Sequence, residues 1–184
     1  MAFRAFIAIE MEDTKNLSDL HRDLMNVGQG LKPVDLDQVH VTLKFLGDVA
    51  EDLVPKIQSA MESAVEGISP FQYRLRGAGS FPPRGPAKVI WVGMEDAEPM
   101  SRIAERLEEG LEPLGFARED RPFRPHVTLA RVKAPSAAFA AKQVADRYRS
   151  ADFGPRNVDS IKLKKSVLTR YGPEYSTVLS VPLH

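Results

Sequence analysis

Two histidines recur in the same setting, His40-Val41-Thr42-Leu43 and His126-Val127-Thr128-Leu129. The chain holds four histidines in 184 residues, so half of them stand at equivalent places in a repeat. Each tetrapeptide lies in a run that alternates apolar and polar residues, the pattern of a strand with one buried face. Successive side chains on a strand point to opposite faces. His40 and Thr42 are therefore expected on one face, with Val41, Leu43 and Phe45 on the other, and His126 and Thr128 against Val127 and Leu129. Packing requires the aliphatic row but not an imidazole and a hydroxyl kept together opposite it. Burying both without partners costs a few kcal/mol, so the polar pair belongs in a polar or wet cleft.

Two imidazoles suit paired proton transfer. With an ordinary pKa of about 6.5, one can be neutral while the other is protonated near neutral pH. One takes a proton from a nucleophile and the other gives one to a leaving group. The threonine hydroxyls suit the non-bridging oxygens of a phosphate held between the rings. A serine-protease arrangement is disfavoured, because neither motif offers a strained nucleophile elbow. No metal site is expected: there is no His-x-His, no His-Glu-x-x-His, no carboxylate within either motif and no cysteine.

The elements that position these motifs follow from the pattern along the chain. Residues 3–10 read as a buried strand, and 14–28 as a helix stopped by Gly28 and Gly30. The first motif strand covers about 38–46 and ends at Gly47-Asp48. A helix spans 51–66, a strand begins at Phe71, and Ser80 to Pro86 forms a turn-rich linker. The order then repeats: a strand at 87–94, a helix at 97–113, the second motif strand at 125–132 and a helix at 136–148. A long strand at 158–169, a turn at Gly172-Pro173 and a last strand at 175–183 complete the chain. This predicts one domain, 1–184, containing two repeats of strand, helix, strand, helix and strand at roughly 1–80 and 87–184. Each repeat supplies one motif strand to a shared cleft.

Composition bounds the partners. Net charge is zero, so any nucleic-acid affinity must come from a local patch. No stretch approaches the ~20 apolar residues of a membrane span, and the first ten residues are too short for a signal-peptide core. The lack of cysteine is compatible with a reducing cytosol, and the expectation is a cytoplasmic monomer with no membrane attachment.

Two His-Val-Thr-Leu motifs 86 residues apart in a chain of this size resemble the paired His-x-Thr-x motifs of the 2H phosphoesterase superfamily. More closely, the chain resembles the bacterial and archaeal RNA 2′,3′-cyclic phosphodiesterases, also called 2′-5′ RNA ligases. The likeness covers nearly the full length: Arg4 to Ile9, His40 to Gly47, Trp91, Arg124 to Arg131, and Ser166 through Gly172-Pro173-Glu174-Tyr175. It implies a bilobal α+β fold with pseudo-two-fold symmetry, largely antiparallel sheets and both histidines in a central cleft. It also implies metal-independent hydrolysis, without cofactor, of an RNA or oligonucleotide 2′,3′-cyclic phosphate to a 2′-phosphomonoester. His126 would be the base that activates water and His40 the acid. Thr42 and Thr128 would hold the phosphate, with Arg131 assisting. Strict alternation places Arg131 on the Val127/Leu129 face, so that role requires a bulge. Arg118, Arg121 and Arg124, with Phe123 among them, and Arg84 are candidates for RNA contacts or for a solvated loop neutralised by Glu119 and Asp120. His21 and His184 have no expected role. Alternatives are a 2H enzyme acting on 2′-5′ linkages or another cyclic phosphate, including ligation by the reverse reaction, and an RNA-binding module without turnover.

Overall fold

The computed structural model describes all residues, 1–184. Nine strands form two sheets: β1 (Ala2–Glu10), β2 (Leu31–Pro33), β3 (His40–Ala50), β4 (Phe71–Phe81), β5 (Val89–Glu95), β6 (His126–Val132), β7 (Asp152–Val158), β8 (Ser160–Thr169) and β9 (Gly172–Pro182). Four helices accompany them: α1 (Ser18–Met25), α2 (Val54–Val65), α3 (Glu98–Leu111) and α4 (Ala138–Arg147). The first sheet has the order β3-β1-β8-β9 and the second β2-β6-β5-β4-β7. Every pairing is antiparallel.

The sheets do not follow the halves of the chain. β4 leaves the first half to pair with β5, and β8 leaves the second half to pair with β1. The order β3-β1-β8-β9 thus matches β6-β5-β4-β7 place for place. The helices exchange too: α2 and α3 pack together over the first sheet, α1 and α4 over the second. Their apolar stripes explain why. In α3, Met100, Ile103, Leu107 and Leu111 recur at helical spacing and are fully buried, each stabilising the fold by about 1.5–3 kcal/mol. Each sheet therefore buries one face under a helix pair, leaving the other for the cleft. Val41, Leu43, Val127 and Leu129 lie on the buried faces, within a continuous 44-residue core.

Three elements differ from expectation. The motif strand β3 runs past Gly47 to Ala50, since Gly47 takes a positive φ of 70° at an irregularity in the β1 pairing rather than ending the strand. The strand at 152–158 is an addition to the expected elements, and so is the short β2. Both are edge strands, where Pro155 and Pro33 cost no central ladder bond. Alternation puts Phe45 with Val41 and Leu43, but the ring is 62% exposed. β3 has a bulge there: Ile7 pairs with Lys44 and Ala8 with Thr42, leaving Leu43 as the extra residue. Leu43 and Lys44 are consecutive and both buried, so Lys44, Phe45 and Leu46 change face before a second irregularity at Leu46 restores the original alternation and buries Val49.

The bulge sends Lys44 inward among the helices. Its ammonium donates to Glu108 of α3 at 2.9 Å and to the Ala117 carbonyl at 2.6 Å. Lys44→Met strands the Glu108 carboxylate, whose side chain is 19% exposed. Urea unfolding is expected to show a loss of about 3 kcal/mol, the low end for breaking a buried pair. Lys44→Met/Glu108→Gln should recover part of it.

Candidate active site

The two motif strands orient their histidines by the same device. His40 Nδ1 donates to the Gln38 carbonyl at 2.8 Å, and His126 Nδ1 to the Arg124 carbonyl at 2.7 Å. In each case the acceptor lies two residues before the ring. A carbonyl can only accept, so the neutral ring carries its proton on Nδ1 and keeps the Nε2 lone pair for the site. Thr42 uses that lone pair, its hydroxyl lying 3.0 Å from His40 Nε2. Thr128 shares the face of His126, two residues on, and both are open to solvent in part.

His40 is packed from two further sides. The Phe6 ring lies 4.9 Å away at 31°, and Tyr175 presents its edge at 5.4 Å and 89°. Phe6 and Tyr175 touch each other at 5.1 Å. Burial lowers the pKa of His40 below the ordinary imidazole value; the Gln38 carbonyl opposes this, Lys164 adds to it, Glu10 opposes it and Arg131 adds to it. The resting ring is therefore held toward its neutral form. Burial likewise raises the Tyr175 phenol, against the charge of Arg131. Glu10, opposite His40 in the β1 register, is bound by both Lys162 and Lys164. A cavity of about 400 Å³ opens beside the ring, lined among others by Glu10, Glu12, Asp37, His40, Lys164 and Tyr175.

Arg131 reaches the site because β6 has the same bulge as β3. Thr128 pairs with Trp91 and Ala130 with Ile90, so Leu129 is the extra residue, and Leu129 and Ala130 are both buried. Arg131 thereby returns to the His126/Thr128 face and stands near enough to His40 and Tyr175 for its charge to act on both. Phe45 and Arg131 are twins, each five residues after its histidine and each re-aimed by a bulge. Sequence alternation missed both placements. It also missed Phe6, Lys164 and Tyr175, which only the curl of the first sheet brings to His40.

The second sheet supplies a flat floor. Trp91, the cross-strand neighbour of Thr128, lays its indole over Gly79, where a Cβ would stand 2.4 Å from the ring. Only glycine permits that approach. The loop arginines divide: Arg118 pairs with Glu112 at 2.7 Å, while Arg121 stacks on the exposed Phe81 at 5.7 Å. Arg124 contributes its carbonyl to His126. His21 Nε2 hydrogen-bonds the Val34 carbonyl and lies outside the site. His184 borders a separate hollow of about 510 Å³ at the end of α2. No group of three or more His, Cys, Asp or Glu side chains converges as a metal-ligand set, and no helix is long and apolar enough to cross a membrane.

Two bulged strands, one in each sheet, thus each present a histidine and a threonine on the same side. The chain belongs to the 2′-5′ RNA ligase superfamily, whose model matches residues 27–166. It is 33% identical over 174 residues to an RNA 2′,3′-cyclic phosphodiesterase of Archaeoglobus fulgidus, covering 94% of this chain and 96% of the relative. A solved structure from Thermus thermophilus superposes with a TM-score of 0.81 at 33% identity, covering 98% of this chain and 97% of that one. Escherichia coli LigT in complex with 3′-AMP shares the fold, with a TM-score of 0.73 at 21% identity, covering 100% and 99%.

Proposed function

We propose that this protein hydrolyses the 2′,3′-cyclic phosphate end of RNA or an oligonucleotide to a 2′-phosphomonoester, using His40 and His126 and no metal. One domain, 1–184, built from two repeats carries the activity. The observation that supports it most is the matched pair of Nδ1–carbonyl bonds, which engages the same nitrogen of both rings and reserves both Nε2 atoms for proton transfer, that of His40 being shared at rest with the Thr42 hydroxyl. The activity named for the 33%-identical relative agrees with it. In the reaction, His126 Nε2 takes a proton from water as its oxygen bonds to phosphorus. The P–O3′ bond opposite breaks, and His40 Nε2–H delivers a proton to O3′. Thr42, Thr128 and Arg131 bind the non-bridging oxygens, where charge gathers in the transition state.

Turnover of a panel tests this: an oligonucleotide 2′,3′-cyclic phosphate, 3′,5′-cyclic mononucleotides and 2′-5′-linked oligomers. The first should be hydrolysed fastest. Preference for 2′-5′ linkages would replace the substrate assignment, and binding without turnover would reduce the protein to an RNA-binding module. Activity should survive dialysis against EDTA, because imidazole activates the water; loss restored by a stoichiometric divalent ion would refute that.

The pH profile follows from His40. Catalysis needs His126 neutral and His40 protonated, so the rate is bell-shaped with its optimum midway between the two apparent pKa values, which belong to the coupled pair. Burial lowers the His40 pKa, so its acid form is lost at lower pH and the optimum of kcat/KM moves acid. A bound phosphate anion favours imidazolium, so the optimum of kcat should lie on the alkaline side of that for kcat/KM. Coincident optima, with chemistry rate-limiting, would contradict the role of His40.

A further inference from the structure

Beyond Ser166 the β8–β9 hairpin leaves its sheet. The pairing of β1 with β8 stops at Arg4 and Ser166, whereas β8 and β9 stay paired to Thr169 and Gly172. Residues 167–174 therefore form a projecting two-stranded ribbon. It carries two of the most exposed large apolar side chains in the molecule, Leu168 at 84% and Tyr171 at 79%. Alternation places Leu168 on the face of Lys164 and Ser166, which is the face of Tyr175 and hence of His40. The ribbon is tethered beside the site, since Gln38 Nε2 donates to the Pro173 carbonyl at 3.1 Å. Its turn is closed by Thr169, whose hydroxyl donates to the Gly172 carbonyl at 2.7 Å and accepts from Tyr171 N–H.

The tip also reaches the second sheet. A Cβ on Gly172 would stand 3.3 Å from Lys32 Nζ, and Lys32 is the cross-strand partner of Arg131. Arg170 lies over one face of the Tyr171 ring at 4.7 Å and bonds its hydroxyl. The tip thus carries an aromatic ring, an exposed leucine and the cation Arg170, with Lys32 beside its Gly172 and Arg131 next to Lys32 across the strand pair. A polyanion with flat apolar bases fits this surface.

We propose that Leu168, Arg170 and Tyr171, with Lys32, bind the nucleotide that precedes the cyclic-phosphate-ended residue of a single-stranded RNA, making the protein selective for oligonucleotides over mononucleosides. This rests on the proposed phosphodiesterase reading and extends it one residue up the strand. Tyr171 stacks the base, and the two cations meet the linking phosphate.

The test compares kcat/KM for adenosine 2′,3′-cyclic phosphate and for a trinucleotide ending in 2′,3′-cyclic phosphate. Wild type should prefer the trinucleotide by at least ~10-fold, within the span of one base–aromatic stack. Tyr171→Ala should bring that ratio near one through KM, leave the mononucleoside rate within about two-fold, and be rescued by Tyr171→Trp. An unchanged ratio in Tyr171→Ala/Leu168→Ala, or an equal fall on both substrates, would overturn the proposal. Equilibrium binding of a 2′-phosphate-ended trinucleotide separates this from the underlying reading, because it needs no turnover. Affinity ~10-fold weaker in Tyr171→Ala supports the ribbon site even if wild type hydrolyses neither substrate. Equal affinity rejects it even if both are hydrolysed.

Discussion

His40→Ala and His126→Ala are each expected to lower kcat by at least ~10², and the double variant should fall far less than the product of the two. In the proposed mechanism the rings act as a unit: with either proton transfer lost, the other ring has no concerted step to serve. Folding should be little affected at His126, whose ring is exposed and holds only the Arg124 carbonyl. At His40 the change also removes a ring packed between Phe6 and Tyr175, so His40→Gln gives a better-filled control. Thermal unfolding beside single-turnover kinetics separates the two effects. Near wild-type turnover by either single variant would remove the two-histidine mechanism.

Thr42→Val and Thr128→Val should each raise the activation free energy by about 2–4 kcal/mol, the range for losing one oxyanion donor, or roughly 30- to 10³-fold in kcat. Valine preserves shape and suits a strand, so the loss isolates the hydroxyl. KM should change little, because the donor serves charge that develops in the transition state. The two variants should differ in one respect. In the resting site the Thr42 hydroxyl lies 3.0 Å from His40 Nε2, where it supports the neutral ring. Thr42→Val therefore also takes a hydrogen-bond partner from the resting His40 ring, whereas Thr128→Val acts through the phosphate alone, so the Thr42 variant should show the larger fall in kcat. A rise in KM alone would make either threonine a ground-state binding group.

The alternation of each motif run made the histidine and threonine faces legible, since a period of two needs no knowledge of the rest of the fold. What it could not carry is the bulge. One extra residue at Leu43 or Leu129 leaves no mark in composition, yet it turns Phe45 and Arg131 onto the cleft face and sends Lys44 inward to Glu108. The two helix–strand units were readable as elements, but the exchange of β4 and β8 was not, because periodicity says which face is buried and not which strand lies alongside. β7 was hidden by Gly154 and Pro155, which an edge strand tolerates and a strand pattern does not suggest. Tyr175 was visible only as part of a resemblance. Its contact with His40 depends on the curl of the first sheet, a property of the assembled molecule.

The proposed roles of both histidines converge on a single chemical outcome, the bond that breaks. Phosphorus-31 NMR of a trinucleotide 2′,3′-cyclic phosphate incubated with the enzyme in H₂¹⁸O reads it directly. The account predicts one product, a 2′-phosphomonoester with a free 3′ hydroxyl and one ¹⁸O on phosphorus, formed by wild type and not by His40→Ala at comparable rate. A 3′-phosphomonoester, or equal product from His40→Ala, would show that the ring held by Gln38 and Thr42 is not the acid that releases O3′.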